Sequence, residues 1–87
     1  MKKNIVLLFL FLSLLVHSQN EQLALNYFDR GEFEKALVSY EELLKAQPNN
    51  FNYFQKAVEC YQQLQQFDKA EKAIQERLDR YKQSSLL

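Results

Sequence analysis

Covalent chemistry in a protein needs a nucleophile, an acid or base, or a cradle for phosphate or metal, and this chain holds few such groups. Cys60 is its only cysteine and His17 its only histidine. A cysteine becomes a nucleophile when a neighbouring base takes its proton. His17, however, sits at the exit of an N-terminal apolar run and is expected to leave the mature protein with it. Cys60 therefore reads as a small apolar residue packed between helices. A single cysteine also builds neither an intrachain disulfide nor a cysteine-based zinc site. The adjacent carboxylates Glu41 and Glu42 would point about 100° apart on a helix, too divergent to act on one substrate, so they read as a solvated face. With Gly31 as the only glycine, a glycine-rich phosphate loop is excluded. The residues point away from an enzyme, and neither a cofactor nor a metal is expected.

The elements that position these residues are helical. One glycine and one proline, Pro48, in 87 residues are too few for the tight turns of an all-β domain, and the length bounds the chain to one small domain. Basic and acidic residues number 11 each; setting Lys2 and Lys3 aside leaves nine against eleven, a net of −2. Nucleic-acid binding needs a basic stripe, so that partner class is excluded.

Residues 1–18 have the parts of a secretory signal peptide: Met1-Lys2-Lys3-Asn4, an apolar run from Ile5 to Val16 interrupted only by Ser13, and then His17-Ser18. Twelve residues are short for a span, which needs about 20. Val16-His17-Ser18 fits small-x-small cleavage, placing the cut after Ser18 and making Gln19 the mature N-terminus. The expectation is an exported protein, in the bacterial periplasm or secreted, with no stable membrane span after cleavage. An uncleaved anchor is the alternative. No cysteine follows the run, so a lipoprotein-type lipid anchor is excluded.

The rest of the chain repeats at an offset of 34 residues. Tyr27 falls on Tyr61, Phe33 on Phe67, Lys35 on Lys69, Ala36 on Ala70, Glu42 on Glu76 and Leu44 on Leu78. Apolar residues recur at helical steps in Phe33, Ala36, Leu37, Tyr40, Leu43 and Leu44, and again in Phe67, Ala70, Ala73, Ile74, Leu78 and Tyr81. Gly31 suits a left-handed helix C-cap, Pro48 a helix stop, and Asn49 or Asn50 an N-cap. Glu41/Lys45, Asp68/Lys72 and Glu76/Arg80 are acid-first pairs at i,i+4. Helices are predicted at about 20–30, 33–46, 51–64 and 67–82.

The segment Ala24…Tyr27…Gly31-Glu32-Phe33-Glu34-Lys35-Ala36…Tyr40…Pro48 resembles a tetratricopeptide repeat, and Phe54, Tyr61, Phe67 and Ala70 supply a second copy. The resemblance implies an all-α fold of two antiparallel helical hairpins, the start of an α-solenoid. Residues 19–50 form the first repeat and 51–84 the second, with 85–87 opening a third. Ala24 and Ala36 match the small residues that let paired helices approach, and Tyr27 the large residue between them. Five positions depart from the pattern. Asn20 replaces a bulky apolar residue, Ala57-Val58 interchanges a large-small pair, Gln65 replaces the turn glycine and Lys82 the terminal proline.

The resemblance also implies a protein or peptide partner held in a concave groove. Carried over by position, that groove is lined by Glu21, Leu25, Phe28 and Asp29, then Asn52, Gln55, Glu59, Gln62 and Gln63. Such a surface suits an extended peptide, or a helix with apolar and basic groups. Phe28, outside the repeat's packing positions, is expected to need a partner or a lid. Repeat modules bury their apolar stripe against the next repeat and usually number about three or more. Two repeats leave Ile74, Leu78 and Tyr81 on one face of the last helix. Two explanations stay open: the chain is part of a longer array, or a short protein that self-associates through this edge.

Overall fold

The structure, a computed structural model, describes the backbone of residues 20–85 and the side chains of residues 20–83; the segment assigned to export, 1–18, lies outside the described residues. Four helices follow in order: α1 (20–29), α2 (Phe33–Ala46), α3 (Phe51–Gln63) and α4 (Phe67–Ser85). They match the predicted four, except that α4 runs on to Ser85. No described helix is long and apolar enough to cross a membrane.

The 34-residue period is visible in the backbone hydrogen bonds as well as in the sequence. At the end of α1, Glu32 N–H donates to the Tyr27 carbonyl (2.9 Å) and Gly31 N–H to that of Phe28 (3.0 Å). At the end of α3, Gln66 N–H donates to Tyr61 (2.8 Å) and Gln65 N–H to Gln62 (3.0 Å). Both are the paired-bond Schellman closure, which needs a left-handed residue after the helix. Gly31 takes it with φ 77°, and Gln65, at the matching place, with φ 60°. The second turn keeps its geometry although it lacks the glycine that makes this conformation free of strain.

The turn from α2 to α3 is built differently. Pro48 follows the last turn of α2, and the Asn50 side chain accepts from Tyr53 N–H at 3.2 Å, capping α3. Asn50 also donates through Nδ2 to the Gln47 side chain (3.0 Å), tying the cap back to the end of α2.

Most of the fully buried residues are small. Ala24 and Ala36 have no exposed surface, so α1 and α2 meet with no side-chain bulk between them at that point. Cys60 is equally buried, and Ala57 and Ala70 nearly so. Around these close approaches, Tyr40, Leu43 and Tyr53 fill the α2–α3 junction, the two tyrosine rings tilted with centroids 6.2 Å apart. Tyr27, Phe28, Phe33, Leu37 and Leu44 complete the cluster from its margin. Val58, at the place of Ala24 in the second repeat, is half-buried, whereas its neighbour Ala57 is buried. The interchanged pair thus turns its small member to the core.

One predicted ion pair is replaced. Lys45 meets Glu42 (3.1 Å) at i,i+3, and Glu41 instead accepts from the Tyr61 hydroxyl at 2.7 Å, bridging α2 and α3. A bond between helices uses Glu41 in place of one within a helix.

A non-glycine residue in the left-handed region carries a penalty of about 1–2 kcal/mol. Gln65→Gly removes it while adding freedom to the unfolded chain, so a net gain of about 0.5–1 kcal/mol is expected. A higher urea midpoint at unchanged slope is the predicted result; an unchanged or lower midpoint would show that the turn is unstrained.

Candidate functional site

The residues assigned to the concave face lie on α1 and α3, at steps that keep them on one side of each helix. Glu21 and Asp29 are exposed on α1, with Leu25 and Phe28 half-buried between them. On α3, Asn52, Gln55, Gln62 and Gln63 are exposed and Glu59 is half-buried.

Lys56 joins the two rows. Its Nζ sits 4.1 Å from the centroid of the Phe28 ring and 3.9 Å from Glu59 Oε2. A cation over an aromatic face is stabilised by the ring quadrupole, more so when partly desolvated. Phe28 also meets Phe33 edge-to-face, with centroids 5.4 Å apart. Of the partner or lid expected for Phe28, Phe33 and Lys56 supply a cover within the chain. Sequence reasoning passed over Lys56. The available signal was its i,i+3 spacing from Glu59, which placed the ammonium on the same row.

Carboxylates act on the tyrosines behind this face. Tyr40 is pushed up to about 12, mainly by burial and then by Cys60, Asp29, Glu21 and Tyr53. Tyr53 is raised by burial and by the Glu21 carboxylate beside it. The structure thus brings Glu21 close to Tyr53, and Phe28 close to Glu59 through Lys56. The amides of Asn52, Gln55, Gln62 and Gln63 extend this acidic margin along α3 as a row of exposed donors and acceptors.

The Cys60 thiol is pushed up to about 11 by burial and by Glu59, with Lys56 opposing. A thiol held protonated in this way packs as a small apolar group.

A second surface lies at the α4 edge. Ile74, Leu78 and Tyr81 are 40%, 50% and 73% exposed, and with Phe51 and Phe54 they line a hollow of 560 Å³. In the first repeat Tyr40, opposite Ile74 in the period, is 3% exposed at the α2–α3 junction, and Leu44, opposite Leu78, is half-buried. The apolar face expected on the last helix is present, and it is wider than predicted because α3 contributes two rings.

A family model described as tetratricopeptide repeat matches residues 27–87. No curated protein and no solved structure matches the chain.

Tyr61, like Tyr40, is held up to about 12, by burial first and then by its hydrogen bond to Glu41 and the charge of that carboxylate. An unfolded tyrosine ionises near 10. Above that pH the unfolded chain gives up these protons first. The stability the two rings contribute is therefore complete below pH 10 and declines as the pH rises to 12. Tyr61→Phe removes one of the two, so its melting temperature should fall less steeply than that of the unaltered chain between pH 10 and 12. Parallel declines would show that the bond to Glu41 does not shield Tyr61.

Proposed function

Because this chain belongs to the tetratricopeptide repeat family, we propose that it is an exported, non-enzymatic scaffold that binds a protein partner across the α1–α3 face. The observation that carries the reading is the paired row on that face. Lys56 locks Phe28 to Glu59, leaving the α3 amides exposed beside Glu21 and Asp29. Amides bind the main chain of an extended peptide with little regard to sequence, and the carboxylates favour basic side chains. Export is supported by the basic start, the apolar run to Val16 and the Val16-His17-Ser18 exit. The bacterial periplasm is the proposed compartment, with secretion as the other destination.

A second reading has its own observation. Exposed Ile74, Leu78 and Tyr81 form a contiguous apolar face, and faces of this kind mark association sites. In that reading the chain is a structural protein whose copies assemble through α4.

One experiment separates these readings. A photo-crosslinking residue is placed at Gln62 or at Leu78 of the full chain, expressed in a bacterium, and the adducts are identified by mass spectrometry. The scaffold reading predicts adducts with a different protein from Gln62, on a chain beginning at Gln19. Adducts from Leu78 alone, joining two copies, would replace it with the assembly reading. A membrane-bound chain that still carries Met1 to Val16 would contradict export by cleavage.

A further inference from the structure

Arg77 lies at the junction of three hollows. The first is the 560 Å³ hollow already described, walled by Phe51, Phe54, Ile74, Leu78 and Tyr81. In the second, of 260 Å³, Arg77 faces Leu44, Lys45 and Glu41. The third shares Pro48 and Arg80 with the second.

The guanidinium carbon of Arg77 sits 4.4 Å from the Phe54 ring centroid and 5.7 Å from that of Phe51. Arg30, Lys35, Lys45 and Lys56 each meet a glutamate. Half-buried Arg77 is used by none of the ion pairs among the described residues. Glu41, the carboxylate that lines the second hollow, already accepts from Tyr61. A guanidinium held against rings carries a planar fork of N–H donors that suits a carboxylate.

We propose that this groove is a second docking site, one that takes a segment of a partner polypeptide carrying a carboxylate between apolar side chains. The carboxylate pairs with the Arg77 fork, and the apolar side chains lie against the phenylalanines on one flank and Ile74, Leu78 and Tyr81 on the other. Charge supports this choice of occupant. Three cations, Lys45, Arg77 and Arg80, line these hollows against one carboxylate, Glu41, a formal excess of positive charge. The α1–α3 face instead presents Glu21, Asp29 and Glu59. The two faces therefore select segments of opposite charge, and one molecule can bridge a basic segment and an acidic one.

The test measures fluorescence anisotropy of the full chain with a labelled peptide, acetyl-Leu-Phe-Asp-Leu-Phe-amide, and with its Asp→Asn counterpart. The acidic peptide should bind at least about tenfold more tightly, the scale of a charge-assisted pair. Arg77→Gln should bring its affinity down to that of the Asn peptide, whose own binding should not change. If Arg77→Gln does not fold, the two peptides on the unaltered chain decide the matter, with exposed Leu78→Glu expected to repel the acidic one. Equal binding of both peptides, or binding of neither, would overturn the proposal. So would a dimer, seen by sedimentation, that Leu78→Glu dissociates and the acidic peptide does not, because the occupant would then be a second copy.

Discussion

Two alanines with no exposed surface determine how near α1 and α2 come, and the rest of the module follows from that distance. Ala24 and Ala36, buried in one cluster, bring only methyl groups to it, so the large residues pack around them. Tyr27 and Phe28 do so from α1, and Phe33, Leu37 and Tyr40 from α2. Adding even one or two methylenes at such a crossing displaces well-packed neighbours. The same device recurs with Ala57, Cys60 and Ala70, which is why a chain of small core residues and wide aromatic margins is stable as thin stacked hairpins.

Stacking makes burial a property of position in the array as well as of residue type. Tyr40 is hidden because α3 lies on α2, and Ile74, one period later, is exposed because, among the described residues, no element covers the side of α4 away from α3. At the other end, Leu23 is 43% exposed whereas Ala57, its period mate, is buried. The flanks of Leu23 are polar, with Asn20, Asn26 and Arg30 all exposed. One edge of the module is therefore mostly hydrophilic and the other apolar with a stacked arginine. The α1–α3 face lies apart from both edges as a separate, acidic surface.

The helices and their phase were legible in the sequence because they rest on local rules. Helical spacing, Gly31, Pro48 and the asparagine cap each act within a few residues, and the period of 34 tied the weaker second copy to the first. Gln65 shows where such rules stop. Nothing in a glutamine signals positive φ, yet the packing of α3 on α4 and the two Schellman bonds hold it there. The site residues were legible as rows on helices but not as contacts. Lys56 over Phe28, Arg77 over Phe54 and Tyr61 on Glu41 all join residues at least 20 positions apart, distances at which side-chain pairing depends on the fold. Glu41 is the instructive case: its i,i+4 lysine was the local choice, and the α2–α3 junction supplied a different partner.

Burial places the stable unit in the α1–α2–α3 packing and leaves α4, covered on one side, as its margin. Native-state hydrogen exchange on the full chain tests this most directly. The account predicts that amides around Ala36, Tyr40 and Ala57 exchange only with global unfolding. Those of α4 beyond Leu78 should exchange through smaller openings, and they should gain protection when an acidic apolar peptide is bound. Uniform protection across α2, α3 and the whole of α4 in the free chain would contradict it.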